Sequence, residues 1–138
     1  MGRLLILSVG QYGLVAKEVA EAMGGHTSID FIDDHSEIAI VAIGNPAVRA
    51  QWIDRIDKIA TLVHPKAVVS PSAVVGEGLI IEDGAVISTD VKIGKGTIVM
   101  ANVVIGHNAI VGDCCQLKYN CTIPENCVVP DQTIVDYN

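Results

Sequence analysis

The C-terminal half of this 138-residue chain repeats every six residues, and that period limits what it can fold into. Residues 67–138 divide into twelve hexads with nothing inserted or deleted. The third residue of each hexad is aliphatic, from Val69, Val75 and Ile81 through to Val129 and Val135. The first is small or apolar throughout, from Ala67 and Ala73 to Cys127 and Thr133. A short fixed period is the mark of a solenoid, and a period of six fits a parallel β-helix in which each hexad supplies one short strand and one corner. Three strands close a triangular coil, so residues eighteen apart stack and twelve hexads wind four coils. One inward column is then Val69, Ile87, Ile105 and Ile123. Corners fall at glycines such as Gly76, Gly78, Gly84, Gly94, Gly96, Gly106 and Gly112, and at Asn102, Asn120 and Asn126. These residue types accept tight or left-handed backbone. A sandwich of ordinary short strands has no reason to keep such a period over seventy-two residues.

Half of the chain is hydrophobic, yet it holds only one Phe, one Trp and three Tyr. A prism filled by valine and isoleucine accounts for that imbalance. The net charge of −7 argues against a nucleic-acid surface and against binding to an anionic membrane. It leaves room for a small anion, because backbone amides can hold a phosphate without lysines. No apolar run has the length of a membrane span. The stretch Met1–Leu7 resembles the start of a secretion signal, but Gln11 and Tyr12 interrupt it. Ile6 breaks the myristoylation pattern. The expected location is the cytoplasm. The cysteines are Cys114, Cys115, Cys121 and Cys127, three of them at the small inward hexad position. Spacing of six sends those three to successive walls, so buried reduced thiols are expected and no metal.

Residues 1–63 read as a small α/β domain and residues 64–138 as the solenoid. The run 3–9 is apolar, as in a strand buried on both faces. A turn over Ser8–Gly13 leads to a helix over 14–23, with Leu14, Val15, Val19, Ala22 and Met23 as its apolar stripe and Gly24–Gly25 as its stop. Strands follow at 28–32 and 37–43. Asn45 and Pro46 open a second helix as N-cap and first helical residue, running to about Ile56. Residues 60–63 form a fourth strand. In such sheets ligands bind at the carboxyl ends of strands. Gly10 and Gly13 only partly match the dinucleotide fingerprint, with Ser8 where its first glycine would stand. From the residues alone, a tight turn without a ligand fits as well. Asp33 and Asp34 end the second strand and serve equally as turn residues.

Among the hexads there is a single histidine, His107, two residues beyond the inward Ile105 and therefore at an outward corner. Histidine suits general-base work near neutral pH. A plain solvent-exposed corner residue is the other reading. A zinc site of the γ-type carbonic anhydrase kind needs three histidines, which the hexads lack.

The whole chain resembles the bacterial sugar O- and N-acetyltransferases of the sialic acid O-acetyltransferase and bacillosamine acetyltransferase type. The residues carrying the resemblance are Gly10–Val15, Phe31–Asp34, Ala42–Asn45 with Arg49, Leu62–Ala73 and Gly96–Asp113. It implies a Rossmann-like α/β N-terminal domain followed by an all-β left-handed parallel β-helix. It further implies a homotrimer, a nucleotide-linked sugar as substrate and acetyl-CoA as acyl donor lying between neighbouring prisms, with no metal. Ser8, Gly10, Gln11, Tyr12 and Gly13 would lie by the nucleotide phosphates, and Asp33, Asp34, Gly44 and Asn45 by the nucleoside. His107 would be the base, with Asn108 beside it where the family carries an acid. Gln116, in the place of a second family histidine, and Lys118 and Asn120 would face the acyl donor. The chain ends at Asn138, about thirty residues past His107, where relatives add further coils. The second reading is therefore a shortened, catalytically weak or inactive relative, a trimeric nucleotide-binding or structural protein.

Overall fold

The computed structural model describes residues 3–8, 10–25, 29–31 and 38–136, with the backbone alone for 29–31. Twelve two-residue strands, β5 to β16, run from Val68–Val69 to Ile134–Val135 at the second and third places of successive hexads. Each of the first nine pairs in parallel with the strand eighteen residues on, as Val86–Ile87 does with Val104–Ile105. The predicted columns are therefore real. The third hexad residues from Ile81 to Val129 are buried, and so are the first residues from Leu79 to Cys121.

The corners repeat as strictly as the strands. Residues 78, 84, 90, 96, 102, 108, 114, 120, 126 and 132 all have φ between +53° and +76°. Glycine fills three of these places and asparagine four, the residue types with the least cost there. Asp90, Cys114 and Gln132 hold the same backbone, each with its amide bonded to the coil before.

Three walls result. Wall one carries Leu62, Ile80, Ile98, Gln116 and Ile134 as its outward residues, wall two Val68, Val86, Val104 and Thr122, and wall three Val74, Lys92, Ile110 and Val128. On walls two and three these outward side chains are exposed, while Leu62, Ile80, Ile98 and Gln116 on wall one are buried. What buries them is the N-terminal part of the chain.

That part is a parallel sheet in the order β2-β1-β3, with β1 at Leu4–Leu7, β2 at Ile29–Phe31 and β3 at Ala39–Val41. Helix α1 spans Tyr12–Met23 and α2 spans Pro46–Ile53. Period-two alternation divides β1 between two cores. Leu4 and Ile6 join Ala16, Val19, Ala20 and the prism interior, whereas Leu5 and Leu7 join Ile53, Ile56 and Cys114. The predicted cap of α2 is present, with the Asn45 Oδ1 accepting from the Val48 amide at 3.1 Å and Pro46 in the first turn.

Three expectations need correction. The buried side of α1 is Gly13, Ala16, Val19 and Ala20, and Leu14 is 56% exposed. Small residues let the helix lie close against the sheet, and closeness outweighs the larger side chain on the other stripe. Helix α2 ends at Ile53, three residues early. The strand expected at 60–63 is Leu62–Val63, or β4, and it pairs with Ile80–Ile81 in wall one. Just before it, Ile59 bridges to Ala39 on β3, so the chain passes from the small sheet into the prism without leaving a hydrogen-bonded ladder.

Candidate active site

Hexad geometry places His107 at the corner where the chain leaves wall two after Ile105 and enters wall three at Ile110. Its side chain is 58% exposed. The same corner holds Glu125 one coil on, with the Glu125 Oε2 3.9 Å from the His107 Nδ1. Gly106 shows how closely the coils approach here, since a Cβ at that position would lie 2.6 Å from the Glu125 nitrogen. Asn108 has φ +60° and donates its side-chain amide to the Asn126 Oδ1 at 2.8 Å. Flanking this corner are exposed apolar side chains: Val86 and Val104 on wall two, Ile110 and Val128 on wall three.

The N-terminal candidates sit elsewhere. In the turn after β1 the Ser8 hydroxyl donates to the Gly10 carbonyl at 2.9 Å and accepts from its amide. Gln11 precedes α1 without any side-chain cap, and the Gly13 and Leu14 amides bond back to the Gly10 and Gln11 carbonyls at 3.4 and 2.9 Å. A Cβ on Gly10 would meet nothing within 4 Å, so open space lies over the turn. Gly13 is on the buried side of α1. Gly44 and Asn45 lie in the neighbouring loop after β3, and Asp33 and Asp34 fall outside the described residues.

Two buried polar groups lock this unit onto wall one. Tyr12 donates its hydroxyl to the Glu82 Oε2 at 2.7 Å. Burial, then the Glu82 charge, pushes the Tyr12 phenol well above its usual range. Burial likewise pushes the Glu82 carboxyl up, with the Tyr12 hydrogen bond opposing. Arg49 is fully buried, and among the described residues it pairs with no carboxylate. Its guanidinium donates to the carbonyls of Ile43, Gly44, Gly96, Cys114 and Cys115, the first two in the small unit and the others in the prism. Burial brings its pKa down to about 10, so it remains charged at neutral pH. Gln116, expected at the acyl donor, lies against Gly44, whose Cβ would be 3.1 Å from the Gln116 Nε2. Lys118 and Asn120 follow in the same coil, Asn120 at a corner with φ +64°.

Within one chain, then, the structure brings Gln116 beside Gly44 and Tyr12 onto Glu82, but it does not bring His107 to them. Its corner is the one opposite wall one. Reasoning from sequence missed Glu82, Glu125 and the carbonyl-bridging role of Arg49. The eighteen-residue stacking rule already pairs 107 with 125, whereas Glu82 stands next to a second charge, Asp83, and nothing in the sequence sets the two apart.

Among the described residues, no cluster of three or more His, Cys, Asp or Glu side chains could hold a metal ion. All four cysteines are free thiols. Burial raises Cys114, Cys115 and Cys121 above the usual thiol range, which makes them poor nucleophiles. No helix among the described residues is long and apolar enough to cross a membrane.

Residues 90–125 match the bacterial transferase hexapeptide (six repeats). No curated protein matches the chain by sequence. Among solved structures, the acetyltransferase domain of PglB from Neisseria gonorrhoeae FA1090 is similar with a TM-score of 0.78 at 19% identity, over 99% of this chain and 92% of that one. The same domain in complex with acetyl coenzyme A gives 0.67 at 23% identity, over 96% and 95%. WeeI from Acinetobacter baumannii AYE gives 0.82 at 15% identity, over 97% and 77%. A histidine-to-asparagine mutant of perosamine N-acetyltransferase from Caulobacter crescentus, in complex with CoA and GDP-perosamine, gives 0.62 at 21% identity, over 100% and 90%. These likenesses establish the fold, a hexapeptide-repeat parallel β-solenoid with a small sheet-and-helix unit seated on one wall.

Proposed function

We propose that this chain is an acetyltransferase that moves an acetyl group from acetyl-CoA to the amino group of a nucleotide-linked sugar, working as a homotrimer with His107 as general base. Residues 1–63 form the Rossmann-like substrate unit and residues 64–138 the left-handed acyl-transfer prism in this reading. The observation that carries it is the position of His107, exposed at a corner between two apolar walls of an unbroken hexapeptide prism. The similar solved proteins supply the substrate class: one is an acetyltransferase domain with acetyl coenzyme A bound, another an N-acetyltransferase with CoA and GDP-perosamine bound.

The separation of sites within one chain supports the trimer. His107 lies opposite its own wall one, so a nucleotide held at Ser8–Gly13, Gly44 and Asn45 is served by the histidine of a neighbouring copy. Val86, Val104, Ile110 and Val128 flank that corner and are apolar enough to be covered by such a copy. Backbone amides around Lys118–Asn120 of the neighbour receive the acyl oxygen.

The acyl donor supplies a thioester. As the sugar nitrogen attacks its carbonyl carbon, a C–N bond forms and the C–S bond breaks. His107 takes the proton that nitrogen sheds and returns it to the departing sulfur, which leaves as the CoA thiol. Thiol release with a panel of nucleotide-linked amino sugars tests this reading. His107→Ala is expected to lower kcat about 10²–10⁴-fold while calorimetric CoA binding persists. Undiminished turnover in that variant, or full activity from a species that light scattering shows to be monomeric, overturns it.

A further inference from the structure

The carboxylate that faces His107 comes from the following coil, not from the next residue in sequence. At the His107 corner the coils stack so closely that the Asn126 amide donates to the His107 carbonyl at 3.0 Å. That stacking sets Glu125 over His107, its Oε2 3.9 Å from Nδ1. The side chains are 58% and 66% exposed, so a small rotation of either closes the gap to a hydrogen bond. Asn108, the sequence neighbour, commits its amide to Asn126 Oδ1 from a left-handed corner. An amide there also brings no charge to an imidazolium.

We propose that Glu125 is the positioning residue for His107, supplying from the following coil the carboxylate missing at position 108. The proposal rests on the reading of His107 as the base. A carboxylate facing Nδ1 favours the tautomer with its proton on Nδ1. The Nε2 lone pair is then free for the incoming proton, and the cation formed is stabilised. Gly106 is part of the device. Any side chain there would strike the backbone of Pro124 and Glu125 and push the acid away.

The experiment reads the His107 ring nitrogens by 15N NMR in the assembled protein without substrate, with kcat and KM measured alongside. His107 is one of four histidines, and its signals are assigned from their loss in His107→Ala. In the unmodified protein the Nδ1–H tautomer is expected to dominate. Glu125→Ala should move it toward Nε2–H and lower kcat about 10²-fold with KM unchanged. Glu125→Gln keeps an acceptor, so the tautomer should hold while kcat falls about 10-fold through loss of charge alone. Glu125→Asp should restore part of the rate, which separates positioning from damage to the coil. An unmoved tautomer in Glu125→Ala, or one that responds to Asn108→Ala instead, overturns the pairing. Acetyl transfer with an unmoved tautomer also overturns it while leaving the enzyme reading intact. A tautomer switch in a protein that acetylates no sugar keeps the pairing and overturns the enzyme reading.

Discussion

The prism and the small α/β unit are held together in different ways. In the prism every coil repeats the one before, and each contact is with a neighbour eighteen residues away. Stability is then close to a sum of similar local terms. The α/β unit has no such repetition. It leans on wall one through a few distinct contacts: Arg49 bridging carbonyls of both parts, Tyr12 on Glu82, and Ile53 and Ile59 seated over Gly96 and Gly78. Redundancy protects the prism against single changes, and the seam has none.

The sharpest way to break this contrast is at Arg49. Arg49→Leu takes a donor from five carbonyls, of which that of Cys115 keeps a partner in the Ile98 amide, at an expected cost of about 3–5 kcal/mol. Because those carbonyls straddle the seam, the α/β unit should come loose before the prism. Limited proteolysis should then cut within residues 1–61 and leave the hexads intact. A single cooperative transition with no early cleavage would show that the two parts stand or fall together.

Gly96→Ala is the next test. Its φ is +70°, and a Cβ would lie 2.1 Å from the Ile53 Cδ1 and 3.0 Å from the Cys114 Sγ. The expected loss is about 2 kcal/mol, split between backbone strain and displacement of α2. Adding Ile53→Ala should recover the steric part. If it recovers nothing in chemical denaturation, the helix does not rest on that corner.

The smallest expected effect is at Glu82, and it depends on pH. Burial raises its carboxyl above the usual value of 4.5, so the fold prefers the protonated form. The stability this brings is complete below pH 4.5 and is lost as pH rises through the folded-state value. Glu82→Gln keeps an acceptor for the Tyr12 hydroxyl and removes the titration. Its denaturation midpoint should therefore fall less between pH 4.5 and 7.5 than that of the unmodified protein. Equal slopes would place the titration elsewhere.

These contrasts also explain what was readable beforehand. The period of six carried the coils, the register and the inward columns, because a β-helix turns sequence spacing directly into position. Asn45 and Pro46 carried the start of α2, because capping is local chemistry. The stripe on α1 misled, since Leu14 is the more hydrophobic choice and Ala16 and Ala20 the ones that allow close packing. Glu125 was within reach of the stacking rule, but its meaning depends on where the Asn108 amide goes, and that is a matter of side-chain geometry.

By itself, then, the sequence determined a triangular solenoid with glycine and asparagine at its corners and one outward histidine among them. Every hexad meets the same local demands, and no long-range fact is needed to satisfy them. Tertiary structure decided which of three walls the α/β unit covers. Each wall mixes aliphatic outward residues with one polar one, Gln116 on wall one, Thr122 on wall two and Lys92 on wall three, so their composition does not single out the covered wall. The choice follows from the path of residues 58–63, which carry the edge of the small sheet into wall one, and from the carbonyls that Arg49 finds there. That choice sets His107 at the corner between walls two and three, opposite the wall the α/β unit covers.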